Sequence, residues 1–214
     1  ERDFLEPARR YYTNIVGKYG PQVQALLKKA STVDIKYICP LHGPVWRENI
    51  GYIVDKYHNW SKYEAEEKGV LIVYGSMYGN TEKAVENLAI RLTEKGMTNM
   101  AMYDASKTHV SYLIGEAFKY SHIVLASPTY NLNIYPPVEN FIRTMKALNL
   151  QNRTFAVIEN GSWAPKSGEL MRELLDEMKN MNVLEDEMLI TSSMHEGNIN
   201  EIESLANSII ESIK

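Results

Sequence analysis

Cysteine is almost absent from the sequence. Cys39 stands alone among 214 residues, so no disulfide can close within the chain and no cysteine-based zinc or iron–sulfur site can form. A buried structural thiol is its expected role. An apolar run of about 18 residues is also missing, which excludes a membrane-spanning helix on length. Nothing reads as a signal peptide, and a reducing cytoplasm is the expected home. An excess of basic charge is lacking as well. The 23 Lys/Arg face 27 Asp/Glu, for a net charge of −4, so there is no electrostatic footprint for nucleic acid. No repeat or low-complexity tract interrupts the chain. What remains, 44% hydrophobic and 23% charged residues, is ordinary for a globular protein. The length suits one large α/β domain, or one domain with an appendage.

The charge is unevenly placed. Residues 1–67 hold ten Lys/Arg against nine Asp/Glu, and the remainder holds thirteen against eighteen. The texture changes near Tyr63–Lys68. Beyond it, short apolar runs alternate with amphipathic stretches. The runs are Val70–Tyr74, Met100–Tyr103, His122–Ala126, Phe155–Ile158 and Met188–Ile190. Each is too short for a helix and has little polar alternation, as expected of strands buried on both faces. Helical stripes follow on Ala84–Leu92, on Val138–Leu148 after Pro136-Pro137, on Leu170–Met178 and on Ile199–Ile213. Five strands alternating with five helices argue for a parallel sheet covered on both faces. Residues 1–67 read differently. Phe4–Tyr19 and Gln22–Lys29 are expected to be helical, broken by Gly20-Pro21. Val33–Ile38 reads as a strand and Trp46–Tyr63 as a further helix. These pieces are too few for an independent core.

In a doubly wound sheet, ligands bind beyond the carboxyl ends of the strands, where the winding reverses. The loop after the first strand is Gly75-Ser76-Met77-Tyr78-Gly79-Asn80-Thr81. Small and hydroxyl residues around Gly79, running into a helix N-terminus, make an anion cradle. Alone, they also suit a plain strand-to-helix turn with Thr81 near the cap. A Walker loop is excluded because no lysine follows Gly79, and a dinucleotide fingerprint because the glycines are too few. A phospho-receiver would need acidic residues where Gly75-Ser76 and Ser127-Pro128 stand. The third strand leads to Pro128, Thr129, Tyr130 and Asn131, the fourth to Asn160, Gly161, Ser162 and Trp163. Tyr130 and Trp163 read either as ring-stacking aromatics or as ordinary loop and packing residues. A phosphate cradle and two aromatic loops at one sheet edge fit a flat ring with a phosphate tail, and FMN is the ligand they point to.

Ser76–Thr81 resembles the flavodoxin phosphate loop, and Ser127–Asn131 and Asn160–Trp163 resemble the second and third flavin-binding loops of that family. The resemblance implies a flavodoxin-like five-stranded parallel sheet in the order 2-1-3-4-5, with helices on both faces, preceded by a mainly helical segment. The run Pro40-Leu41-His42-Gly43-Pro44-Val45-Trp46-Arg47 is similar to the segment that closes the metallo-β-lactamase-like domain of flavodiiron proteins. There the matching histidine ligates iron, a role that falls on His42 here. The family's other iron ligands lie upstream and have no counterpart, and a lone imidazole cannot hold two irons. The resemblance therefore implies a C-terminal piece, or a short form, of a flavodiiron protein. Residues 1–67 would be the remnant of the di-iron domain and residues 68–214 the FMN domain.

The expected function is FMN-dependent electron transfer as the flavodoxin part of an oxygen or nitric oxide reductase, with a di-iron centre only in the complete protein. By the same resemblance, the expected partners are a redox protein such as rubredoxin or an NADH-linked reductase, and a second copy in a head-to-tail homodimer. No nucleic acid and no membrane are expected. A stand-alone flavin reductase acting on a quinone, or an interaction module without flavin, are the alternative readings. The acidic balance of residues 68–214 is expected to lower the last reduction potential of the flavin.

Overall fold

The computed structural model describes residues 2–214; Glu1, the first residue of the expected remnant, lies outside them. The N-terminal part is helical: α1 (Arg2–Ile15), a 3-10 turn at Gly17–Tyr19, α2 (Gly20–Ala30) and α3 (Ile50–Ser61). Gly20-Pro21 opens α2 and does not merely interrupt it. Proline is pre-set for the first helical turn. Gly20 is required because a side chain there would meet the Ser61 carbonyl at 2.4 Å. Three expectations fail nearby. Val33–Ile38 forms no strand, only a single bridge from Ile38 to Trp46. Its β-prone residues have no partner strand, and Val33 and Tyr37 stay exposed. Cys39, at the end of this open arm, is an exposed free thiol and not a buried one. The helix expected over Trp46–Tyr63 starts only at Ile50, because Asn49 takes a left-handed conformation with φ 49°.

The sheet follows: β1 (Glu67–Tyr74), β2 (Met100–Asp104), β3 (Tyr120–Tyr130), β4 (Asn133–Ile134), β5 (Arg153–Asn160) and β6 (Met181–Ile190). The order is β2-β1-β3-β5-β6, all parallel, with two-residue β4 antiparallel to the end of β3. Leaving β4 aside, this is the expected five-strand order. Helices α4 (Asn80–Glu94), α5 (Val110–Lys119), α6 (Pro136–Ala147), α7 (Ser167–Asp176) and α8 (Asn198–Ile213) cover it.

Side chains alternate between the faces, as the strand period demands. Val70, Ile72, Val124 and Ile158 join α4 and α8 in one core. Leu71, Val73, Leu125 and Val157 join α5, α6 and α7 in the other, which continues into Tyr12, Trp46 and Trp60. Helix α1 lies on α5. Between α1, α3 and the sheet, the buried Glu66 accepts from Arg9 Nε at 2.6 Å, Trp60 Nε1 at 2.5 Å and Lys56 Nζ at 3.1 Å. Buried Arg153 donates to the carbonyls of Tyr63, Ala117, Phe118, Gln151 and Asn152.

Candidate functional site

The rim at the carboxyl ends of β1, β3 and β5 gathers the three loops singled out above. The first starts tightly: a side chain at Gly75 would meet the Tyr135 ring at 2.5 Å. Ser76 Oγ then accepts from the N–H groups of Gly79 at 3.1 Å and Glu82 at 3.3 Å, folding the loop back on itself. Gly79, with φ +84°, turns the chain into α4. A helix leaves its first four N–H groups without intrahelical acceptors, and its dipole adds partial positive charge. Asn80 and Thr81 occupy this start, Thr81 only 2% exposed.

Buried Asn160 straps the rim together. Its Nδ2 donates to Thr81 Oγ1 at 3.2 Å and to the Ser192 carbonyl at 3.2 Å. Ser192 Oγ in turn donates to Ser162 Oγ at 2.9 Å. Ser192 thus brings in a fourth loop, after β6, that sequence reasoning missed. Its signals were a hydroxyl run, Thr191-Ser192-Ser193, directly after a strand, and a left-handed turn at φ 69° that only structure reveals.

Together these loops line a cleft of about 130 Å³. Ser76, Met77, Tyr78, Asn80 and Thr81 form one wall, and Pro128, Thr129, Asn160, Gly161, Ser162 and Ser192 form the rest. No Lys, Arg, Asp or Glu lines it. Thr129 has a second duty: its Oγ1 accepts from Lys166 N at 2.9 Å and Ser167 N at 3.1 Å, anchoring the start of α7. Tyr130, Asn131 and Trp163 stand outside the cleft on the loops that line it. Asn131 turns with φ 54°, and Tyr130 meets Tyr135 edge-on at 6.0 Å. Trp163 is 97% exposed, Tyr78 89% and Leu132 67%, so the loops at this rim also carry large exposed apolar side chains. Behind it, Tyr74 donates to Glu82 at 2.7 Å, and burial with that acid drives its hydroxyl far above the usual tyrosine range.

His42 lies elsewhere. It packs on Tyr11 at 5.1 Å between ring centroids and borders an apolar cavity of about 510 Å³ among α1, α2, α3 and residues 35–46. Among the described residues, no three His, Cys, Asp or Glu side chains come together as a metal site. No helix among them is long and apolar enough to cross a membrane.

A family model for the flavodoxin domain matches residues 71–185. An uncharacterized protein of Methanocaldococcus jannaschii is 30% identical over 185 residues, covering 86% of this chain and 46% of its own length. The rubredoxin-oxygen oxidoreductase of Megalodesulfovibrio gigas is 30% identical over 174 residues, covering 79% of this chain and 43% of its own. Among solved structures, the rubredoxin oxygen:oxidoreductase of Desulfovibrio gigas superposes with a TM-score of 0.90 at 25% identity, over 100% of this chain and 54% of that one. The flavodiiron protein of Giardia intestinalis shares the fold, with a TM-score of 0.85 at 24% identity over 96% of this chain and 52% of that one. The chain spans about half the length of these relatives. With a flavodoxin-domain model matching more than half of its residues, the chain belongs to the flavodoxin-domain family.

Proposed function

We propose that this chain binds FMN at the rim cleft and serves as the electron-transferring part of a flavodiiron oxidoreductase. The observation that carries this is a slot walled by hydroxyls and a helix start and free of charged side chains, with the exposed Trp163 next along the loop that lines it. A phosphate monoester satisfies the orphan N–H groups. A flat apolar ring covers indole surface that would otherwise face water. Bound FMN supplies one- and two-electron chemistry. Ser76, Tyr78, Asn80 and Thr81 would hold the phosphate. Pro128–Asn131 and Gly161–Trp163 would border the ring and shield it from water, and buried Asn160 ties their loop to Thr81. The described residues do not fit a di-iron site, since His42 has no companion ligands among them.

In this reading, residues 1–67 are the end of a metal-bearing domain that lies in other sequence, and residues 68–214 are the flavin domain. The oxygen reduction for which the Megalodesulfovibrio gigas relative is named would be completed there. A rubredoxin-type protein is the expected donor, after the activity for which the Megalodesulfovibrio gigas relative is named. Titrating the purified, flavin-stripped protein with FMN tests the reading. Stoichiometric uptake with quenched flavin fluorescence supports it, and a colourless protein that refuses FMN refutes it.

A further inference from the structure

The Asn160 carboxamide touches no residue by accident of loop packing alone: its two donor contacts dictate how the neighbouring hydroxyl can behave. The Ser192 carbonyl can only accept, so the amide atom facing it at 3.2 Å must be the nitrogen. The same nitrogen lies 3.2 Å from Thr81 Oγ1. Both amide hydrogens are then committed, and Thr81 Oγ1 is committed as an acceptor. Its own hydrogen is left free to point into the cleft that Thr81 lines. Asn160 and Thr81 are 6% and 2% exposed, so water competes little for either contact.

We propose that Asn160 is the positioning residue for phosphate recognition: it fixes the Thr81 hydroxyl as a donor toward the phosphate, acting from the loop that also carries Trp163. This rests on the FMN reading above and assigns to one side chain a share of the preference for a phosphorylated over an unphosphorylated flavin. Asn160 would thereby tie the phosphate end of the cleft to its ring end, with Ser192 holding the strap from the fourth loop.

The experiment compares FMN with riboflavin, which has the ring and lacks the phosphate. Asn160→Asp reverses the polarity, because a carboxylate takes the Thr81 hydrogen for itself and repels the phosphate. FMN should bind about ten- to a hundredfold more weakly, and riboflavin within about threefold of the unaltered protein. Asn160→Ala removes the donor without adding charge and should reduce FMN affinity about three- to tenfold. Adding Asn160→Ala to a Thr81→Val protein should have no further effect on FMN, since the role runs through that hydroxyl. Equal losses for both flavins, or additive losses in the double variant, would overturn the proposal while leaving the FMN site standing. Failure of the unaltered protein to bind FMN would instead remove the reading on which the proposal depends.

Discussion

At the seam where α1 and α3 meet the sheet, Glu66 has a side chain 1% exposed and receives three donors, two of them cationic. At the rim, a cleft lined by eleven residues contains no charged side chain at all. Both places handle buried polarity, yet they do so in opposite ways. The seam is permanent. Each charge has its partner inside the chain, and removing one strands the rest. In the proposed reading, the rim is arranged for a visitor. Its donors are hydroxyls and helix-start N–H groups, which can be satisfied by water or by an anion without leaving a fixed charge behind. A cation built into the rim would hold the cleft against neighbouring carboxylates when empty, whereas neutral donors leave it open.

The comparison breaks first at Arg153. Burial draws this guanidinium down to about 9, so it remains cationic at neutral pH. Five carbonyls accept from it, two of them, from Ala117 and Phe118, at the end of α5. Arg153→Met should cost about 3–5 kcal/mol in denaturant unfolding, yet leave FMN affinity unchanged in whatever fraction still folds. A loss below about 1 kcal/mol would show that the carbonyls find other donors and that the seam is not locked.

Glu66 gives a smaller effect with a pH signature. Burial raises its proton affinity, but Arg9, Trp60 and Lys56 outweigh that and hold the carboxyl below its ordinary 4.5. The folded state thus favours the ionised form. This contribution is complete above the ordinary value and is lost as pH falls through the lowered one. Glu116, also facing Arg9, is pushed upward chiefly by burial, so its part runs the other way and grows as pH falls. Glu66→Gln keeps an acceptor for Trp60 and removes the charge. It should cost about 1.5–3 kcal/mol at pH 7. The variant's unfolding free energy should fall less steeply than that of the unaltered protein between about pH 5 and pH 3. Parallel curves would mean that Glu66 is not the group being titrated.

The same contrast explains what could be read from sequence. Strands buried on both faces leave unbroken apolar runs, so β1, β3 and β5 and the loops after them were legible, and with them most of the cleft. Helix α5 offered no stripe because it is buried twice, with Leu113, Ile114 and Phe118 in the core and Ser111 under Arg10 and Asn14 of α1. A helix wedged between two layers loses the polar face that marks an amphipathic one. Ser192 was hidden because it joins the network through its carbonyl as well as its hydroxyl, and a carbonyl leaves no mark in residue type. The seam was least legible of all. Glu66 lies in a polar run that reads as a boundary, and nothing in Tyr63–Lys68 distinguishes a buried carboxylate from a solvated one. The exposed thiol escapes sequence reading for the matching reason: cysteine is commonly buried, and the arm leading to Cys39 reads as a strand it does not form.

The smallest effect sharpens the comparison from the rim side. Trp163 has almost its whole surface in water, so it contributes little to the packed state, and Trp163→Ala should change unfolding free energy by no more than about 0.5 kcal/mol. If the indole exists to meet a flat ring, the same substitution should weaken flavin binding by about 1–3 kcal/mol, the range for stacking on an aromatic side chain. Riboflavin and FMN should suffer alike, because the ring they share is what Trp163 would touch. That equality separates Trp163 from Asn160, whose loss should fall on FMN alone. A Trp163→Ala protein with unaltered affinity for both flavins would leave the exposed indole as surface and move the ring's contacts to Tyr78 and Tyr130.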